Sequence, residues 1–205
     1  MEKTLLIAST NPGKLVEIGA LLDDLPIRLA LPADIGIRLR VEETGSTYAE
    51  NAALKAAAYC QASGLVTLAD DSGLEVDALD GAPGLHSARY APQPGATDAD
   101  RRARLLKNLH ASGKPRPWTA RFRCVVAVIV PGGEIAFREG SVQGEIATEE
   151  RGSNGFGYDP VFFIPSLGQT MAELPDGMKN RLSHRGRAVS SARGLLMEIF
   201  GLQGS

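Results

Sequence analysis

Residues 4–14 read TLLIASTNPGK. Thr4–Ala8 is short and continuously apolar, the pattern of a strand buried on both faces. Ser9–Lys14 follows as a turn of small and loop-forming residues, and a helical pattern continues through Ile18, Leu21 and Leu22. A buried strand delivered through a tight turn into a helix points to an α/β fold.

The rest of the chain extends that pattern. Thr47–Ser63 reads as a helix with a capping box, Thr47 as N-cap and Glu50 three residues on. Ala53, Ala56, Ala57 and Cys60 form its expected apolar side, with Asn51 and Lys55 together on the other. Val66–Ala69 is a second short buried strand, expected to end at Asp70-Asp71-Ser72-Gly73. After a loop-like stretch from Gly81 to Gly95, Thr97 caps a basic helix with Ala99, Ala103, Leu106 and Leu109 on one side. Phe122–Val130 and Ile135–Val142 read as strands joined in a hairpin by Pro131-Gly132-Gly133. A glycine-rich loop, RGSNGFGYDP, precedes VFFIP, and Ala188, Val189, Ala192, Leu195, Leu196, Ile199 and Phe200 recur at helical spacing. With no repeat, low-complexity tract or linker, residues 1–205 read as one domain, a mixed β-sheet flanked by helices.

Composition narrows the function. Hydrophobic residues make up 43% and charged residues 22%, the balance of a folded globular protein. The formal net charge of −2 argues against a nucleic-acid binder, which ordinarily shows a basic excess. An anionic ligand would therefore need a local cluster of Lys and Arg. Cys60 and Cys124 lack CxxC spacing and read as buried thiols of a reducing compartment. The start of the chain lacks a signal peptide's apolar region, and no run approaches membrane-spanning length, so a cytoplasmic location is expected.

Five stretches could carry chemistry. Ser9-Thr10-Asn11-Pro12-Gly13-Lys14 places backbone N–H groups and a lysine at a helix N-terminus, where anions bind; it is not a Walker A loop, and Asn-Pro-Gly is also an ordinary turn. Glu42-Glu43 and Asp70-Asp71 supply carboxylates of the kind that hold magnesium beside water and phosphate oxygens, although Asp-Asp-Ser-Gly is equally good chemistry for a solvated turn. Asn51 and Lys55 share a helical side that could simply face solvent. Ser153–Pro160 combines Gly155 and Gly157 with the aromatic faces of Phe156 and Tyr158, on which a planar base could stack. Lys179–Arg187 is the densest cationic stretch, placed where the last helix begins; cations oppose the dipole there unless an anion lies nearby. His86 and His110 lack metal-ligand spacing, and nothing indicates a covalent nucleophile.

Taken in order, STNPGK with Lys14-x-x-Glu17, EETGSTYAENAALKA, ADDSGLEVDALDGAPGLHSARYA, GFGYDPVFF and KNRLSHRG resemble the inosine triphosphate pyrophosphatase family. The resemblance runs from Leu6 to about Ala188. It implies an elongated α/β structure of two lobes around a central nucleotide-binding cleft, usually a homodimer. It also implies magnesium-dependent hydrolysis of ITP, dITP and XTP to the monophosphate and pyrophosphate, keeping these nucleotides out of DNA and RNA. The family's phosphate loop falls on Ser9, Thr10, Asn11, Pro12, Gly13 and Lys14, and its helix lysine on Lys55. Its metal-binding acids fall on Glu43 and Asp71; Asp71 is also the catalytic aspartate, and Ser72 contacts substrate. Its base loop falls on Phe156, Gly157, Tyr158 and Asp159, and its later contacts on Lys179, His184 and Arg185.

Elementary electrostatics is consistent with those roles. A nucleoside triphosphate brings about four negative charges to a slightly negative protein, so Lys14, Lys55, Lys179 and Arg185 would have to supply the opposing field locally. Donors near His184 and Arg185 would favour a 6-oxo purine over adenine. Two alternatives remain at this level: a pyrophosphatase for other modified nucleotides, and a purine sensor without turnover.

Overall fold

The computed structural model describes residues 3–202. Seven strands form one sheet: β1 (Thr4–Ile7), β2 (Arg28–Ala30), β3 (Val66–Val76), β4 (Trp118–Ile129), β5 (Ile135–Ile146), β6 (Phe162–Ile164) and β7 (Gln169–Thr170). Their spatial order is β2-β1-β3-β4-β5-β6-β7. β1 runs parallel to both β2 and β3, with Leu5 opposite Leu29 and Leu6 opposite Thr67. β6 is antiparallel to β5 and to β7. The sheet is thus mixed, as the alternation of patterns implied. Among the described residues five α-helices accompany it: α1 (Pro12–Leu22), α2 (Tyr48–Ser63), α3 (Asp98–Ala111), α4 (Asp176–Leu182) and α5 (His184–Ile199).

The chain divides into two compact units, the breaks falling within β3, β4 and β5 and between α4 and α5. The first comprises Met1–Asp71, Cys124–Gly140 and His184–Ser205; the second comprises Ser72–Arg123 and Ser141–Ser183.

In the first unit the strands carry apolar side chains on both faces, and each face has its own helices. Leu5, Ile7, Leu68, Cys124 and Val126 pack with Ile18 and Leu22 of α1 and with Ala188, Val189 and Ala192 of α5. Leu6, Ala8, Ala69 and Ala127 pack on the other side with Ala52, Ala56 and Tyr59 of α2. Alternate residues of a strand point to opposite faces, so continuous apolar runs are what this sandwiching demands. In the second unit Leu74, Val76, Leu105, Leu109, Phe122 and Phe162 form the core, with the Phe122 and Phe162 rings 4.5 Å apart.

Three expectations shift. β3 does not end at the acidic pair but continues to Val76, so Asp70 and Asp71 sit mid-strand, 2% and 8% exposed. The solvated-turn reading fails because the strand resumes its buried pattern at Leu74 and Val76. On α2 the buried residues are Tyr48, Asn51, Ala52, Ala56, Tyr59 and Cys60, while Ala57 is exposed. On α3 Leu105 and Leu109 are buried, but Ala99 and Ala103 face solvent. Alanine-rich and arginine-rich faces carry little hydrophobic bias, so the charge partners decide which side turns inward.

Thr47 does cap α2, accepting from the Glu50 amide at 3.1 Å, and the Glu50 carboxylate accepts from the backbone and hydroxyl of Ser46. Thr97 and Asp100 form the reciprocal pair on α3. Both cysteines are buried free thiols. No helix among the described residues is long and apolar enough to cross a membrane.

Candidate active site

The phosphate-loop candidate is assembled by the start of α1. Asn11 caps the helix, its side-chain oxygen accepting from the Lys14 amide at 3.2 Å, and Pro12 occupies the first turn, where its missing N–H costs nothing. Thr10, Asn11 and Pro12 are exposed. Lys14 leaves this turn and reaches β3, its Nζ 3.0 Å from Asp70 Oδ2 and 3.4 Å from the Asp70 carbonyl oxygen.

Asp70 and Asp71 are consecutive on a strand and therefore point to opposite faces of the sheet. Asp70 shares the α1/α5 face. Its side chain is wholly buried, and Oδ2 receives Lys14 and, at 3.1 Å, Arg185 Nε; Cys124 Sγ lies 3.8 Å away. Arg185 continues to Glu17 of α1 through a short charge-assisted hydrogen bond. Burial alone would raise the Asp70 pKa, but Lys14 and Arg185 together hold it well below the usual carboxylate range. Asp70 Oδ1 is buried without a hydrogen-bond partner among the described residues.

Asp71 shares the α2 face. Asn51 Nδ2 donates to its Oδ2 at 3.1 Å, and Lys55 Nζ stands 3.5 Å from Oδ1. The same lysine lies 2.6 Å from Glu43 Oε1, so one ammonium bridges two carboxylates. Asn51 is itself fixed, its Oδ1 accepting from the Gly45 amide at 2.8 Å. A Cβ at Gly45 would intrude on Glu50 and Asn51, which explains glycine at that position. Burial raises the Asp71 pKa, and Glu43 adds to the rise; Lys55, Lys14 and Asn51 act against it without reversing it. Asp71 is thus the carboxylate of the pair whose proton affinity is increased.

The base-loop candidate belongs to the second unit. Gly155 has a φ of +79°, and a Cβ there would collide with Asp159 Oδ2 and Lys179 Nζ. The loop closes around those two groups: Asp159 Oδ2 accepts from the Phe156 amide at 2.9 Å and from Lys179 Nζ at 2.7 Å. Lys179 Nζ also lies 5.2 Å from the centre of the Phe156 ring. Tyr158 is buried, its hydroxyl donating to the Ser87 carbonyl at 2.8 Å, so it anchors the loop instead of presenting a ring. Phe156 is the half-buried ring that remains for stacking.

The sequence-level candidates therefore form two groups. Lys14, Glu43, Lys55, Asp71, His184 and Arg185 belong to the first unit, with His184 buried at the first residue of α5. Ser72, Phe156, Gly157, Tyr158, Asp159 and Lys179 belong to the second. The cationic stretch from Lys179 to Arg187 is split between them. Its two best-buried cations answer protein carboxylates, Lys179 with Asp159 and Arg185 with Asp70 and Glu17. Those carboxylates are the anions that make cations tolerable there. Asn51 is the participant that helical spacing left ambiguous, since its face could equally have been solvated.

Residues 5–194 match the Ham1 family. The chain belongs to the Ham1 family. Across it, the dITP/XTP pyrophosphatase of Geobacter sulfurreducens is 48% identical over 200 residues, covering 98% of each chain. The dITP/XTP pyrophosphatase of Listeria monocytogenes strain EGD-e is 46% identical over 195 residues, 95% of each. Among solved Ham1 structures, a HAM1 protein from Coxiella burnetii superposes with a TM-score of 0.86 at 42% identity, covering 96% of this chain and 99% of that one. The Staphylococcus aureus Ham1 protein gives 0.83 at 40% identity, with coverage of 96% and 100%. The Ham1 fold thus accommodates the mixed sheet, and Asp70 and Asp71 lie inside the matched region.

Proposed function

We propose that this Ham1 chain hydrolyses dITP, XTP and ITP to the nucleoside monophosphate and pyrophosphate, acting in the cytoplasm on purine nucleotides that do not belong in DNA or RNA. The observation that carries this reading is the single ammonium of Lys55 bridging Glu43 and Asp71, with Asn51 holding the second oxygen of Asp71. Relatives that share nearly half of their residues over nearly the full length are dITP/XTP pyrophosphatases.

Glu43 and Asp71 fit Mg²⁺, which takes one or two carboxylates and completes its shell with water and phosphate oxygens. Among the described residues no cluster of three or more His, Cys, Asp or Glu side chains is arranged to cage a metal. A two-carboxylate site that shares its ion with substrate phosphates needs no such cage. When bound, the ion would neutralise phosphate charge and favour departure of pyrophosphate.

The chain's own residues do the rest. The Ser9–Gly13 backbone and Lys14 hold phosphate oxygens at the positive end of α1. Asp71, with its raised pKa, orients a water and accepts its proton as the water oxygen attacks the α-phosphorus. The bond to the bridging oxygen breaks, and pyrophosphate carries away the electron pair. General-base assistance of this kind contributes about 10²–10⁴-fold. Lys55 occupies the space between Asp71 and Glu43 before substrate arrives and then faces the phosphates. The Phe156 ring supplies a face for the purine, a contact worth about 1–3 kcal/mol in comparable stacking. In this reading residues 1–205 are one pyrophosphatase domain, and the protein works as a homodimer.

The test is pyrophosphate release with Mg²⁺ from dITP, XTP, dATP, dGTP and dTTP, using the native chain beside Asp71→Asn. Release from dITP and XTP alone, lost in Asp71→Asn, is the expected result. Equal turnover of all five would remove the selectivity, and tight dITP binding without turnover would make the protein a sensor.

A further inference from the structure

The base-loop candidate is held by a helix that no role has yet claimed. Gly157, with a φ of +62°, sits between Phe156 and Tyr158, and its peptide groups are gripped from two sides by the first turns of α3. The Gly157 amide donates to Asp98 Oδ2 at 2.8 Å, and its carbonyl oxygen accepts from Arg102 Nη1, also at 2.8 Å. Asp98 and Arg102 are four residues apart on one helix face, a spacing at which acid and base ordinarily pair with each other. Here each addresses the loop instead. The other oxygen of Asp98 pairs with Arg101, and Arg102 Nη2 bonds Glu150 Oε2 at 2.9 Å. Arg102 Nε is buried with no hydrogen-bond partner among the described residues, so this guanidinium gives up one of its own bonds to serve Gly157 and Glu150.

The geometry matters because of what lies on either side. Tyr158 is fixed by its bond to Ser87, and the Phe156 amide is fixed by Asp159. Gly157 is the one position between them where the backbone has wide torsional freedom. Clamping both its N–H and its C=O removes that freedom and sets the direction of the Phe156 ring.

We propose that Asp98 and Arg102 are positioning residues for base recognition: by clamping the Gly157 peptide they hold Phe156 where the purine stacks, and so set substrate affinity without touching the phosphates. This rests on the reading that the Phe156 loop takes the base. Pre-organisation of this kind acts on binding, because a loop that must be ordered by the ligand weakens its apparent affinity.

The experiment compares Asp98→Ala, Arg102→Ala, Asp98→Asn and Arg102→Lys in the full chain. It reads Gly157 amide hydrogen exchange by NMR, together with KM and kcat for dITP. Both alanine variants are expected to speed Gly157 exchange and raise KM about tenfold, equivalent to roughly 1.4 kcal/mol, with kcat within about twofold of the native value. Asp98→Asn keeps an acceptor and Arg102→Lys keeps a donor, and each is expected to recover most of both readouts. Unchanged Gly157 exchange overturns the clamp. A fall in kcat at constant KM overturns its assignment to base binding. Phe156→Ala separates the proposal from its premise. If it leaves the KM for dITP unchanged, the base-loop reading fails; if it raises KM while the Asp98 and Arg102 variants do not, the clamp alone fails.

Discussion

Asn51 on α2 donates to Asp71 on β3 at 3.1 Å while accepting from Gly45 through its other side-chain atom. A primary amide that bonds in both directions fixes its own flip state and therefore the carboxylate it serves. Asn51→Leu removes both bonds, leaves the Gly45 amide unanswered and withdraws a contact that lowers the Asp71 pKa. The expected outcome is a loss of about 10–100-fold in kcat, typical of removing a supporting bond behind a metal or catalytic ligand. Steady-state kinetics with dITP, alongside circular dichroism to verify folding, checks it.

Lys55 makes the opposite kind of prediction. It occupies the space between Glu43 and Asp71 as a competing cation, and their charges raise its own pKa despite burial. Lys55→Met should tighten Mg²⁺ binding by isothermal calorimetry while pyrophosphate release falls about 10²–10³-fold, the scale of losing one charge-stabilising donor. Weaker Mg²⁺ binding would mean that Lys55 organises the acids instead of competing for them.

Asp70 should govern stability and not metal binding, since it faces Lys14 and Arg185 on the other side of the sheet. Asp70→Asn removes the buried carboxylate charge that Lys14 and Arg185 answer and is expected to cost about 3–5 kcal/mol, the usual penalty for stripping one partner from a buried pair. Thermal unfolding of the metal-free chain measures it.

The same residue sets an acid limb. Its folded pKa is depressed well below an unfolded value of about 3.9, so its ionised form stabilises the fold fully above roughly pH 5, and that contribution starts to drain away near 3.9 and goes on falling toward the lower folded pKa. Asp71 has the opposite sign, because its pKa is raised: its contribution diminishes as pH rises past its ordinary value. Guanidinium unfolding between pH 3 and 7 should therefore show a shallower loss toward acid in Asp70→Asn than in the native chain.

Gly155→Ala tests the loop from within. A positive φ at a residue other than glycine costs on the order of 1–3 kcal/mol. The added methyl also meets Asp159 and Lys179, the ion pair around which the loop closes. A lower unfolding temperature and a raised KM for dITP are expected together.

Much of this was legible in the residues, and the gaps have physical causes. Short apolar runs announced strands buried on both faces, and Thr47 and Thr97 announced their helices, because those signals are local. The ordered motifs pointed to the acids, the lysines and the loop. The end of β3 was misplaced because Asp-Asp-Ser-Gly is turn chemistry when nothing answers its charge. What answers it, Lys14 and Arg185, lies 56 and 115 positions away. The carboxylate contacts of Arg185 were hidden for the same reason: Glu17, which it also bonds, is 168 positions distant. The inward side of α3 was hidden because its arginines address backbone and carboxylates, contacts that no hydrophobic pattern encodes.

Asp70 and Asp71 are adjacent in the chain yet belong to different faces of the sheet, and this makes the length of β3 part of the site. A side chain's face on a strand is a matter of parity. Insertion or deletion of one residue between Val66 and Asp70 would exchange the two acids, sending one toward Arg185 and the other toward Lys55 without altering the composition of the strand. Length variation in this Ham1 chain is therefore closed to single steps in β3, where counting, as much as chemistry, determines which carboxylate meets the water.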